Sequence, residues 1–109
     1  MTAAYESKLR QLVSELFILR ASGHVFDCQR NYPKWELKTN ELKCLLKDGI
    51  GGVILYGGTI NEVQERCRIF KQWAKKPILL CADIEEGVGQ RFAGGMSFAP
   101  PMSISQIYE

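Results

Sequence analysis

Val53 to Tyr56 and Ile78 to Ala82 are apolar at every position. A strand with one wet face alternates. An unbroken apolar run suits a strand buried on both faces, as in a parallel sheet covered by helices. Between the two runs, Thr59 and Glu62 form an S/T-x-x-E capping box, with Thr59 as N-cap. Ile60, Val63, Cys67, Phe70 and Ala74 then recur at steps of three and four, with Ile69 and Trp73 alongside, the period of an amphipathic helix. Lys75 and Lys76 suit the negative end of that helix, and Pro77 cannot continue it. Strand, glycine-rich turn, helix and strand make a βαβ unit, with a right-handed crossover expected. The expected fold class is α/β with a parallel sheet.

The rest of the chain is read around that unit. Tyr5, Leu9, Leu12, Val13, Leu16, Phe17 and Leu19 predict an amphipathic helix over 5–20, with Gly23 just beyond it as a stop. Residues 24–34 show neither period and read as a loop or a short irregular strand. A second helix is expected over 35–48, with Leu42, Leu45 and Leu46 buried, Thr39 or Asn40 as cap and Gly49 as terminator. Residues 92–109 read as a long loop ending in a helix that begins near Ser103. Two parallel strands cannot cover their own faces, since such sheets usually have four or more strands. The chain is therefore expected to be part of a larger domain, although a compact two- or three-stranded α/β unit is an alternative.

The chain has 109 residues, a net charge of +2 and apolar runs of at most five residues. Lys and Arg are scattered among acids, without a basic block interleaved with aromatics, so no nucleic-acid partner is expected. No run approaches the roughly 20 apolar residues of a membrane span, and no membrane partner is expected. The N-terminus lacks the basic and apolar regions of a signal peptide. The cysteines at 28, 44, 67 and 81 include no C-x-x-C pair, and His24, the only histidine, has no metal-spaced partner. Buried free thiols and a cytoplasmic location are expected.

Functional sites of parallel α/β proteins lie at the carboxyl ends of the strands. Asp83 stands there by position. Glu85 would share its side of an extended backbone and Glu86 would face away. Arg91 can neutralise Asp83 or present its planar fork of donors to a ligand. A carboxylate in this place can accept hydrogen bonds from hydroxyls, activate water or bind a metal, and D-x-E alone does not distinguish these roles. A second candidate is the Gly57-Gly58-Thr59 turn, since a helix N-terminus after glycines can bind phosphate. Neither G-x-G-x-x-G nor G-x-x-x-x-G-K-[ST] is present.

Taken together, "LLKDGIGGVILYGGT" (45–59), "PILLCADIEEGVGQRF" (77–92) and "PPM" (100–102) resemble family 3 glycoside hydrolases. The likeness is to the N-terminal catalytic barrel domain of the bacterial β-N-acetylhexosaminidase branch. "GGVILY" at 51–56 is similar to the family's early strand. Asp83, Glu85, Gly87 and Arg91 match its D-x-E-G-G-x-V-x-R motif, and "LRQLVSELFIL" (9–19) resembles its first helix. Glu86 and Gly89 depart from the pattern, which usually has glycine and valine there.

The resemblance implies a (β/α)8 barrel of which residues 1–109 are the N-terminal part. It implies retaining hydrolysis of β-N-acetylhexosaminides in carbohydrate metabolism, with no metal or organic cofactor. Asp83 and Arg91 would bind hydroxyls of a carbohydrate substrate, with Glu85 as a supporting residue. The nucleophilic aspartate and the acid/base histidine of that family lie outside the matched residues, so the chain alone is expected to be inactive and to self-associate through exposed strand edges. Two other functions are a small phosphate- or nucleotide-binding module using the Gly57-Gly58-Thr59 turn, and a non-catalytic partner-binding fragment.

Overall fold

A computed structural model describes residues 2–30 and 36–107. Its elements run α1 (Ala3–Ser14), β1 (Ile18–Ser22), α2 (Thr39–Asp48), β2 (Gly52–Tyr56), α3 (Ile60–Trp73), β3 (Leu79–Cys81) and α4 (Pro101–Ser105). Short 3-10 turns occupy Asp27–Gln29 and Val88–Gln90. The strands form one parallel sheet in the order β1-β2-β3, with Ala21 opposite Leu55 and Val53 opposite Leu80. The α/β class and the βαβ unit are as the apolar runs required.

The first helix is shorter than its periodicity predicts. It ends at Ser14, and residues 18–20, expected to be helical, belong instead to β1, which pairs with β2 as a third strand. Leu16, Phe17 and Leu19 fit a helical stripe equally well, but pairing with residues over thirty positions away decides the outcome. The Leu16 and Phe17 amides bond back to the carbonyls of Val13 and Ser14 in the turn between helix and strand.

The second helix starts later than expected. Its N-cap is Lys38, whose amide donates to the Glu41 carboxylate at 3.1 Å. Thr39 does not cap; its hydroxyl accepts from the Arg30 guanidinium at 3.3 Å. Gly49 closes the helix in the left-handed conformation, as expected. The capping box of α3 forms in full: the Thr59 hydroxyl accepts from the Glu62 amide, and the Glu62 carboxylate accepts from the Thr59 amide at 2.9 Å. The last helix begins at Pro101 rather than near Ser103. Position 101 suits proline because a first-turn amide has no partner within the helix.

One face of the sheet carries the core. Ala21, Val53 and Leu55 pack with Leu42 and Leu46 of α2 and Phe70 of α3, and all are buried. By alternation along each strand, Ile18, Arg20 and Ser22, Ile54 and Tyr56, and Leu79 and Cys81 share the opposite face. That face leaves Ile18 47% and Leu79 66% exposed. A parallel sheet normally has both faces covered. The apolar stripe of α1, with Tyr5, Leu9, Leu12 and Val13, is likewise exposed, and α1 buries no residue.

The expectation of buried thiols fails for three of the four cysteines. Cys28, Cys44 and Cys81 are exposed. Cys44 falls on the outer side of α2, and Cys81 on the sheet face opposite the core. Cys67 is half-buried against the core, and burial pushes its thiol up from its ordinary pKa. The radius of gyration is 17.1 Å, against about 13 Å for a compact chain of 100 residues.

Candidate functional site

Three loops converge at the carboxyl ends of the strands, and glycine permits the approach. A Cβ on Gly23, after β1, would lie 2.2 Å from the Gly57 carbonyl oxygen. Gly57 and Gly58, after β2, both have positive φ, and a Cβ on Gly58 would lie 2.8 Å from the Gly23 carbonyl carbon. The loop after β3 returns to the same place. The Ala93 amide donates to the Gly58 carbonyl at 2.9 Å, and the Ile60 amide donates to the Ala93 carbonyl at 3.0 Å.

Asp83 follows β3 at this end and is exposed. Its carboxylate has no hydrogen bond or ion pair among the described residues. Arg91 neither neutralises that carboxylate nor stands apart from it: its Nε donates to the Asp83 main-chain carbonyl at 2.6 Å. The Arg91 guanidinium also lies 5.6 Å from the centre of the Tyr56 ring. Its two terminal nitrogens make no hydrogen bond among the described residues. One acceptor and one two-pronged donor thus stand beside each other with their polar ends unspent.

Glu85 and Glu86 do not follow the extended alternation, because β3 ends at Cys81 and the chain bends at 85–86. Their amides both donate to the Gln90 side-chain carbonyl, at 2.7 and 3.1 Å. Glu85 is exposed and Glu86 half-buried. Gln90 therefore shapes the turn that carries all three carboxylates, and nothing in its sequence position marks it. Gly89 is needed for space. A Cβ there would lie 2.3 Å from the Ser97 hydroxyl and 2.5 Å from the Gly95 carbonyl oxygen.

A buried polar cluster lies beneath the loop after β1. Glu36 Oε2 accepts from the Ser22 amide at 2.8 Å and lies 3.5 Å from Arg30 Nε, and the two side chains are 3% and 4% exposed. Arg30 donates to the Leu37 carbonyl and the Thr39 hydroxyl. Arg66, 2% exposed on α3, donates to the Ser22 carbonyl at 3.3 Å. These residues escaped the sequence reading. Arg66 carries a signal, since it lies three positions after Val63 and four before Phe70 on the buried stripe. Arg30 and Glu36 carry none.

The turn after β2 makes a poor phosphate cradle. The amides of Thr59, Ile60 and Glu62 already donate to Glu62, Ala93 and Thr59. The Glu62 carboxylate occupies the same helix end. His24, which the sequence left without a partner, faces it: Nδ1 lies 3.6 Å from Glu62 Oε2. The bond from the Thr59 amide holds the Glu62 carboxyl below its ordinary pKa of 4.5, with the Thr59 hydroxyl and His24 helping. A lowered carboxylate pKa stabilises the fold above the ordinary value and ceases to do so as the pH falls through the folded value. Glu62→Ala is therefore expected to lower the melting temperature most at pH 7 and by less near pH 3, where only the neutral cap is lost. Glu62→Gln, which keeps the capping acceptor, should lose less. A gap that is constant with pH in thermal scans would refute the charge contribution.

No protein-family model matches the chain. The chain is 39% identical over 72 residues to the Beta-hexosaminidase of Tolumonas auensis, covering 63% of this chain and 22% of that protein. It is 39% identical over 70 residues to the Vibrio cholerae Beta-hexosaminidase and 34% identical over 74 residues to that of Haemophilus influenzae. Those matches cover 62% and 65% of this chain and 21% of each relative.

The chain is similar to beta-hexosaminidases. It spans about a fifth of the length of the curated relatives it matches. Among the described residues, no group of three or more His, Cys, Asp and Glu side chains is placed to hold a metal ion. No helix among them is long and apolar enough to cross a membrane.

Proposed function

We propose that residues 1–109 form the first part of a (β/α)8 barrel in a glycoside hydrolase that acts on β-N-acetylhexosaminides with retention. In this reading, Asp83 and Arg91 hold the sugar at the carboxyl end of the sheet. One observation carries it: a carboxylate and a guanidinium fork lie adjacent at a parallel strand's end with their polar ends unpaired among the described residues, in a chain similar to beta-hexosaminidases. Asp83 accepts from ring hydroxyls and Arg91 donates to them, which fixes the ring before chemistry begins. Glu85 is exposed on the same turn and supports the rim. The open sheet face, with Ile18 and Leu79, fits the interior of a barrel. The nucleophile and acid/base group belong to chain outside these residues, so this chain positions sugar without cleaving it. No observation favours the phosphate module, whose helix-end amides are already engaged.

The test is a titration of the 109-residue chain with N-acetylglucosamine, followed by amide NMR. A hydrogen bond to a charged group contributes about 1.5–3 kcal/mol, so Asp83→Ala and Arg91→Ala should each weaken binding at least about tenfold. Unchanged binding in both variants would overturn the reading. No hydrolysis of a chromogenic N-acetylglucosaminide is expected from the chain, and turnover would overturn the assignment of its catalytic groups elsewhere.

A further inference from the structure

We infer that Tyr56 is a positioning residue, whose ring holds the Arg91 fork at the angle in which it meets a sugar. The inference rests on the proposed role of Arg91 and assigns no contact between Tyr56 and the sugar itself.

Arg91 is a long side chain in a loop, and such a side chain loses much rotamer freedom when it is fixed. Something must hold it for the fork to be preformed. Two contacts do so. Nε is tied to the Asp83 carbonyl at 2.6 Å, which leaves the guanidinium able to swing about that bond. The Tyr56 ring, 5.6 Å from the guanidinium carbon, limits the swing from the other side. That distance lies within the roughly 6 Å over which a ring face attracts a cation.

Tyr56 is itself well anchored. It is the last residue of the central strand, paired with Ser22 of β1, and its carbonyl accepts from the Gly23 amide at 3.1 Å. A second guanidinium, that of Arg20, lies 4.4 Å from the same ring centre. The ring is thus fixed by backbone pairing on β2 and braced by a residue of β1, while Arg91 arrives from the loop after β3. All three strands contribute to the orientation of one donor fork.

The experiment uses the 109-residue chain and reads the Arg91 Nε–H signal and sugar binding together. Ring proximity should hold the Arg91 Nε–H resonance upfield of where its hydrogen bond to Asp83 alone would place it, so loss of the ring should move that resonance downfield. Tyr56→Phe keeps the ring and should keep both the shift and the affinity for N-acetylglucosamine. Tyr56→Met loses the ring while keeping bulk, and should lose the shift. An exposed cation–π contact contributes about 0.5–1 kcal/mol, so this variant should weaken binding about two- to fivefold. In an Arg91→Ala background the Tyr56→Met change should cost no further affinity.

Binding by Tyr56→Met equal to that of the unaltered chain, with binding lost in Arg91→Ala, would overturn the inference and leave the carbohydrate reading standing. Loss of affinity in Tyr56→Phe as large as in Tyr56→Met would also overturn it, by pointing to the hydroxyl. Arg91→Ala without effect would overturn the carbohydrate reading, and the inference with it. Should Tyr56→Met fail to fold, Tyr56→Leu makes the same comparison, and an Arg91 Nε–H resonance that loss of the ring leaves in place would reject the role.

Discussion

Glu36→Ala is expected to lower stability by about 3–5 kcal/mol, the usual loss when one partner of a buried ion pair is removed. Both Glu36 and Arg30 are nearly inaccessible, and one Glu36 oxygen serves two groups, the Ser22 amide and Arg30 Nε. Removing it leaves a buried amide without its acceptor, a loss of about 1–3 kcal/mol in itself. It also takes the carboxylate from beside the Arg30 guanidinium, which still donates to Leu37 and Thr39. Glu36 therefore ties the end of β1 to the approach to α2, 14 positions further along the chain. Glu36→Gln keeps an oxygen for Ser22 and gives up the charge, so its loss should be smaller. Urea denaturation of both variants checks the order. A Glu36→Ala chain within about 1 kcal/mol of the unaltered one would show that Arg30 is not left as an uncompensated buried charge.

The local signals that the sequence carried were those with short-range causes. The Thr59–Glu62 capping box, the Gly49 terminator and the two apolar strands are each set by residues within a few positions, and each appears in the structure, the second strand as Leu79–Cys81 alone and without the burial on both faces that its apolar run predicts. The position of Asp83 was also legible, because a strand end is located by the apolar run before it. What was illegible has long-range causes. Ile18 to Ser22 becomes a strand by pairing with residues 52–56, and nothing at 18–22 records that partner. The same holds for the contact between Tyr56 and Arg91, which are 35 positions apart and meet because the loop after β3 bridges back to Gly58. Glu85 was misplaced for a different reason. Period-two alternation holds only while the backbone is extended, and Gln90 bends the turn by accepting from two successive amides.

Gly89→Val tests whether that turn is specific to this chain. The D-x-E-G-G-x-V-x-R pattern has valine where Gly89 stands, so the substitution restores the residue the resemblance leads one to expect. The structure leaves no room for it. The first side-chain carbon would meet the Gly95 carbonyl at 2.5 Å, and that oxygen is backbone, unable to swing away like the Ser97 hydroxyl at 2.3 Å. The Gly89 amide also donates to the Met96 carbonyl at 2.7 Å, which draws the two sides of the loop together. Forcing bulk into such a contact costs about 1–3 kcal/mol. At about 4–8 °C per kcal/mol for a domain of this size, the melting temperature should fall measurably. Hydrogen exchange at position 89 should accelerate as the bond to Met96 breaks. Asp83 lies on the far side of the bend, just after β3, so the β2–β3 amides should stay protected while the loop opens. In sugar titrations the variant should lose the contribution of Arg91 more than that of Asp83, because Arg91 follows Gly89 by two residues and depends on the loop for its place. A Gly89→Val chain with unchanged stability and a still-protected amide at 89 would mean that the loop already accepts a valine side chain. Glu86 alone would then mark this turn as different.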